Sequence, residues 1–354
     1  MARIAYFYRE MSEYIEIDLR ALAERHEVTV TGCPSRWPDP VRTWRTVAGS
    51  DVVMSWFASW HALLPGLFAR LQGKPFVLTV GGYDTACLPG IDYGHGRDGF
   101  KSWIAKRVMA LATTLVAISD FTIRELDALG FRGARVVRIP LGLDPARYAC
   151  DVPRDAGLAI TTGGVSANNL ARKGLEPFVR AAALLPHRRF VVVGAWMDEG
   201  ADRLRALATP NVTFTNRVPH EEKVRWMSRS EVVVQASQHE AFGLSLAEAM
   251  LCGAVPVVTD AGALPWVAGG TGEVVPGQDP LELAAAIERA FAKAGTAGPR
   301  ARERVLREFT VGSRAAAIER VLAGSAAGVE SVLHPGADAA AADAATEHPT
   351  RRAA

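Results

Sequence analysis

Two glutamates, Glu240 and Glu248, stand seven uncharged residues apart in QHEAFGLSLAEAM, the stretch from Gln238 to Met250. A strand-like run, EVVVQAS, leads in, and a helix-like run, SLAEAMLC, leads out to Gly253. Ser245 and Glu248 fit a capping box, in which the serine oxygen takes a first-turn amide and the glutamate reaches back to the serine amide. That accounts for Glu248 and leaves Glu240 unexplained. Ala241, Phe242, Gly243 and Leu244 present backbone amides at the helix start with little side-chain obstruction, and such amides suit a phosphate. Phosphate repels a neighbouring carboxylate, so Glu240 fits better as an acceptor of hydrogen bonds from hydroxyls. Glu248 fits a second set of hydroxyls.

A second segment, TTGGVSANNLARKGLEPF, places Gly163 and Gly164 after a strand and Arg172-Lys173 ahead of an apolar period. The spacing predicts a helix over 173–185, which sets the two cations at its head. Cations there oppose the helix dipole unless an anion lies between, and phosphate is the usual such anion. A solvated Arg-Lys pair would read the same way on sequence alone, but both glycines precede this one. The loop lacks G-x-x-x-x-G-K-[ST], and no G-x-G-x-x-G follows a strand, so it is neither a P-loop nor a dinucleotide fingerprint. Two carboxylates for diols, with cations between them for phosphate, describe a nucleotide-sugar site.

These segments need strands to hold them. Short apolar runs predict strands over 3–8, 26–32, 51–56, 75–80, 114–118 and 135–139, with helices over 14–25, 59–72, 99–112 and 119–129. After a proline-rich break at 140–157 the alternation restarts. Strands are expected over 157–162, 188–194, 211–216, 231–236 and 254–259, and further helices over 200–208, 219–229, 245–252, 279–293, 297–307 and 311–323. Two such halves imply two parallel-sheet domains facing one cleft, with ligands past the carboxyl ends of the strands. Gly81-Gly82-Tyr83-Asp84, Gly163-Gly164, Gly194, Arg217 and Glu240 all follow predicted strands. Residues 1–150 are assigned to a first domain, 151–310 to a second, 311–324 to a helix crossing back, and the alanine-rich 325–354 to a disordered tail.

The chain has 354 residues, 49% of them hydrophobic, and a net charge of +2. No basic stripe or acidic tail points to nucleic acid. The four cysteines are scattered without a CxxC, as in a reducing compartment. The amino terminus lacks a signal-peptide layout, and Lys106-Arg107 interrupt the longest apolar run, so a cytoplasmic protein is expected. Residues 99–116 admit a peripheral membrane contact, but a buried amphipathic helix is the preferred reading, because the polar residues there fit one ordinary solvated face.

The segments EAFGLSLAEAM, GAVPVVTDAGALP, ARKGLEPFVRAAALLP and NVTFTNRVPHEEKVRWMSRSEVVVQAS resemble, in order, those of retaining glycosyltransferases of family 4, which have the GT-B fold. The resemblance is specific over about 157–310, and GGYD and VAISDFTIREL fall in the matching places of the first half. It implies that Glu240 binds hydroxyls of the transferred sugar, Glu248 the ribose and Lys173 the diphosphate. Amides at Phe242, Gly243 and Leu244 would contact sugar and phosphate, and the backbone at Arg217 and Val218 would edge the base. The chain departs from the family at several points. Arg172 is the only arginine in its loop, Gly81 stands where many members have a histidine, with His95 further along, and Trp266 stands where the family has a glutamate.

The expected reaction is retaining transfer of a hexose-type sugar from a UDP- or GDP-linked donor to a sugar, lipid or small-molecule acceptor. Glu240, Lys173 and Arg172 are the expected catalytic residues. Gly163, Gly164, Arg217, Val218, Ala241, Phe242, Gly243, Leu244 and Glu248 are assigned to the donor, and Gly81, Gly82, Asp84 and His95 to the acceptor side. No D-x-D triplet is present to hold a metal, and no cofactor is expected beyond the nucleotide sugar as co-substrate. A binding or scaffold protein with a dead site, or a sugar-nucleotide epimerase, would use the same fold.

Overall fold

A computed structural model describes residues 1–34, 37–88, 90–91, 93–95, 99–133, 135–148 and 152–324. The tail expected over 325–354 lies outside the described residues.

The first half is built on β1 (Arg3–Tyr8), β2 (Glu27–Gly32), β3 (Val52–Trp56), β4 (Phe76–Val80), β5 (Thr114–Ala117) and β6 (Val136–Arg138). All pair parallel in the order β2-β1-β3-β4-β5-β6. Every residue of β3 and β4 is buried, as expected where helices cover both faces. Helices α1 (Glu13–Ala23), α2 (Pro40–Ala48), α3 (Trp60–Leu71), α4 (Gly99–Leu111) and α5 (Asp120–Ala128) supply that cover. Sequence periodicity did not mark α2. Its signal was the start, where Pro40 opens the helix and the Asp39 side chain accepts from the Arg42 amide at 2.6 Å.

The second half carries β7 (Leu158–Thr162), β8 (Arg189–Val193), β9 (Val212–Asn216), β10 (Val232–Gln235), β11 (Val255–Thr259) and β12 (Glu273–Val275). Their order is β12-β11-β10-β7-β8-β9, again all parallel. The sheet therefore reverses direction between β7 and β10, the switch point where open α/β sheets take their ligands. Its helices are α6 (Ala167–Arg172), α7 (Leu175–Ala183), α8 (Gly200–Leu207), α9 (His220–Arg229), α10 (Leu244–Leu251), α11 (Leu264–Ala268), α12 (Pro280–Ala292) and α13 (Ala294–Glu308). Strand β12 and helix α11 are too short for a periodic signal.

The expected break at 140–157 holds a 3-10 turn, Pro145–Tyr148, and Leu143 bridges to Thr310. One apolar cluster runs through the seam, from Trp56 and Ile139 through Tyr148 and Phe309 to Phe242 and Met250. The last helix, α14 (Val311–Leu322), returns to α1. There Arg314 donates to both oxygens of Asp18, at 2.6 and 2.8 Å, with both side chains buried. Trp56 Nε1 also donates to Asp18, at 2.8 Å.

Candidate active site

Glu240 lies in the turn after β10, beside the loop that follows β7. Three donors converge on its Oε1: Lys173 Nζ at 2.5 Å, Gln235 Nε2 at 2.9 Å and Ser237 Oγ at 3.1 Å. Burial pushes this carboxyl up, but the Lys173 charge and hydrogen bond, with Arg172 and Ser237, outweigh burial and hold it below the usual carboxylate range. The turn is clamped from behind. The Ala263 amide donates to the Glu240 carbonyl at 2.8 Å, and a Cβ on Gly262 would stand 2.2 Å from that oxygen.

The predicted helix over 173–185 is two helices. Arg172 ends α6, Lys173 caps it, and α7 starts after Gly174. The two cations thus occupy a helix carboxyl end, where the dipole favours them, and the argument from an unfavourable dipole falls. Gly174 forces the break. It has φ +68°, and any Cβ there would meet the Ala236 carbonyl oxygen at 2.0 Å. That close approach brings Lys173 over the end of β10. Gly163 lies on the other side, its Cβ position 3.9 Å from Lys173 Cδ, and a Cβ on Gly164 would collide with Met197. Arg172 donates to Asn169 Oδ1 at 2.7 Å and lies over the Tyr93 ring, 4.3 Å from its centroid.

The capping box also falls. Helix α10 starts at Leu244 after Gly243 in the left-handed region, with no side-chain cap, so Ser245 is already inside it. Glu248 turns inward instead. Its Oε1 accepts from Tyr148 Oη at 2.7 Å, and Lys223 Nζ stands 3.0 Å from both oxygens. Only 2% of Glu248 is exposed. Burial and the adjacent Glu248 charge push the Tyr148 phenol well up, so it stays a donor. Next to Lys223 opens a cavity of about 430 Å³ between the halves, lined by Met11, Ser12, Glu13, Arg147, Val218 and His220 among others. Val218 faces this cavity, whereas Arg217 is exposed beside it.

The first half closes on the Glu240 corner. Gly82, at φ +93°, packs so tightly that a Cβ there would sit 2.1 Å from the Ala241 Cβ. A Cβ on Gly81 would meet Phe57 at 2.2 Å, which leaves no room for the histidine that the family resemblance would put there. Asp84 is buried and accepts from the Ala58 and Gly81 amides at 2.9 and 3.2 Å. Burial, only partly offset by those amides, pushes its carboxyl up to about 6. Asp84 therefore shapes the loop from behind. His95 is buried against Tyr83, with ring centroids 4.9 Å apart. Its backbone amide donates to the Tyr83 carbonyl at 2.9 Å.

Sequence reasoning missed Lys223, Tyr148, Gln235 and Ser237, which hold the two glutamates. It also missed His239, whose ring pairs with Glu125 of the first half at 2.9 Å. His239 adjoins Glu240, and that adjacency was its only signal in the sequence.

Comparison with known proteins agrees with this arrangement. Residues 24–142 match the profile of the glycosyl transferase 4-like domain, and residues 159–293 that of the glycosyl transferases group 1. A D-inositol 3-phosphate glycosyltransferase of Catenulispora acidiphila is 31% identical over 62% of this chain and 59% of its own length. One from Kineococcus radiotolerans is 32% identical over 51% of this chain and 50% of its own length. The chain thus spans little more than half the length of these curated relatives. Among solved structures, Anabaena HepE in complex with UDP superposes with a TM-score of 0.75 at 16% identity, covering 91% of this chain and all of HepE. Sucrose-phosphate synthase of Thermosynechococcus elongatus gives 0.73 at 19% identity, over 93% of this chain and all of the other. At these identities the likeness speaks to fold: both are GT-B proteins.

Proposed function

This chain belongs to the group 1 glycosyl transferases, and on that premise we propose that it moves a hexose-type sugar from a UDP- or GDP-linked donor to a hydroxyl acceptor with retention at the anomeric carbon. The observation that carries the reading is the Lys173–Glu240 pair at the sheet's switch point, between the Gly163 turn and the start of α10. The donor diphosphate lies between Lys173 and the amides of Phe242, Gly243 and Leu244, with Arg172 adding a second cation. As the glycosidic bond breaks, charge grows on the leaving diphosphate, and these preformed donors stabilise it without reorganising. Glu240 already accepts its three protein bonds on Oε1, and Oε2 serves the hydroxyls of the transferred sugar. Glu248 takes the ribose hydroxyls, and the base enters the neighbouring cavity past Val218.

A UDP-linked donor has additional support from the solved relatives, since HepE binds UDP and UDP-glucose. The acceptor approaches from the Gly82 side of the cleft. The test is a panel of UDP- and GDP-sugars, with nucleoside diphosphate release measured with and without candidate acceptors. Release that depends on an acceptor supports transfer. Binding without release supports a scaffold, and conversion of the nucleotide sugar to its epimer without an acceptor supports the epimerase reading.

A further inference from the structure

Helices α2, α3 and α4 lie side by side on one face of the first sheet. Inward, Val47, Ala62, Ala69, Ile104, Val108 and Met109 pack on that sheet. Outward, the same helices expose large apolar side chains that the first-half core does not use. Trp44 is 44% exposed and Trp103 48%, with Val41, Leu67, Leu71 and Phe100 exposed beside them. Ring contacts join Trp37 to Trp60, Trp60 to Phe100 and Phe100 to Trp103, at centroid distances of 5.0, 4.9 and 6.1 Å. This is a contiguous apolar surface, and the charged residues within its three helices are all basic.

Charge decides what such a surface meets. The three helices carry Arg42, Arg45, Arg70, Lys101, Lys106 and Arg107, all exposed, and not one aspartate or glutamate. The whole chain is nearly balanced, with 40 basic and 38 acidic residues, so the bias belongs to this face. Tryptophans with an apolar body and a polar edge, interleaved with Lys and Arg and with Asp39, the α2 cap, as a neighbouring carboxylate, match the headgroup layer of an anionic bilayer. The core of a protein interface is depleted in charge, and in lysine especially, whereas Lys101 and Lys106 stand among these rings. No helix among the described residues is long and apolar enough to cross a membrane, so the contact is in-plane.

We propose that this face docks the protein on an anionic lipid surface. In a parallel βα half each helix starts at the carboxyl edge of its strand, so Trp60 and Phe100, at the starts of α3 and α4, mark the cleft end of the patch. A membrane under this face therefore lies next to the cleft's first-half wall. A lipid-borne acceptor would reach the cleft from there, a consequence that rests on the transfer reading, whereas the docking itself does not.

The full chain is sedimented, without donor or acceptor, with vesicles of phosphatidylcholine alone and of phosphatidylcholine with phosphatidylglycerol. It should bind the anionic vesicles, release in high salt, and show a blue shift of tryptophan emission. Lys106→Glu with Arg107→Glu should weaken binding about tenfold or more. Trp44→Ser with Trp103→Ser should remove most of the blue shift and weaken binding about tenfold. Both pairs should keep the wild-type UDP affinity, because none of these residues touches the cleft, and the tryptophan pair, whose rings meet Phe68 and Arg107, should lower the melting temperature only modestly. Arg42→Glu with Arg45→Glu repeats the charge test should one pair fail to fold. Equal binding to both vesicle types, or variants that bind as the wild type does, would overturn the proposal. So would a wild-type dimer that the tryptophan pair disrupts, which makes the face an interface between copies. Tight binding to duplex DNA that ignores tryptophan loss would overturn it too. Failure here leaves UDP binding and transfer untouched, and failure there leaves the vesicle result standing.

Discussion

Glu240 and Glu248 stand eight positions apart in one segment, yet they are held in opposite ways. Every protein donor to Glu240 comes from the second half: Lys173, Gln235 and Ser237. Glu248 is held by Lys223 of that half and by Tyr148 of the connecting segment, under a cavity that both halves line. The donors of the first carboxylate all fold with the second sheet, although the first half packs against the turn that carries it. The donors of the second reach into the connecting segment, and Lys223 borders the cavity. Residues with similar ligand chemistry can thus differ in what else they hold in place.

The first way to test that contrast is Lys173→Ala. Turnover should fall about a hundredfold or more, because one preorganised partner of the leaving diphosphate is lost, while the sheet and the Glu248 corner stay intact. Near wild-type turnover on the true donor would mean the diphosphate lies elsewhere. Next in size is a carboxylate held by amides rather than a cation. Asp84 has a folded value near 6 against an ordinary 3.8, so the native state binds its proton more tightly. Stability should fall as pH rises from about 4 to about 6 and then level, by on the order of 2–3 kcal/mol. Asp84→Asn should flatten that window in urea titrations. Glu240 has the opposite sign: its lowered value adds stability above the unfolded pKa, lost as pH falls through the folded one.

Glu248→Gln keeps an acceptor for Tyr148 but leaves the Lys223 ammonium facing a neutral amide. It should lose roughly 1–2 kcal/mol of stability and a similar amount of UDP binding, read by urea melts and calorimetry. Unchanged values in both would make that corner incidental. Glu240→Gln should cut kcat by about tenfold through its contact with the reacting sugar. It should also lower stability, because the Lys173 ammonium then faces a neutral amide. The smallest expected effect is none: a chelator should leave turnover unchanged, and loss of activity restored by magnesium or manganese would oppose the proposed metal-free diphosphate site.

The sequence showed most of this fold because buried parallel strands are continuous apolar runs, and β7, β10 and β11 read that way. It pointed to Glu240 and Lys173, which the structure pairs, because both lie in segments that follow the ends of strands. It misplaced the Arg172-Lys173 junction because Gly174 bends toward Ala236, a contact across the sheet that local periodicity does not encode. It mistook Glu248 for a cap because S-x-x-E is a local pattern, whereas the actual partners, Tyr148 and Lys223, lie 100 and 25 residues away. The same distance problem hid the His239–Glu125 pair across the cleft.

The buried pair between Asp18 and Arg314 has a consequence for how the protein is made. The two residues are 296 positions apart. At roughly 5–20 residues per second, a ribosome needs about 15–60 s to travel from one codon to the other. Once the strands of the first half have been made, and until residue 314 follows, Asp18 has the Trp56 indole as a partner and no cation. Burying that carboxylate without its cation costs several kcal/mol, so α1 should close over β3 only after α14 emerges. The amino-terminal half is thus the first to be synthesised and should be among the last to be finished, and a chain truncated before residue 311 should bind a dye for exposed apolar surface more than the full chain does.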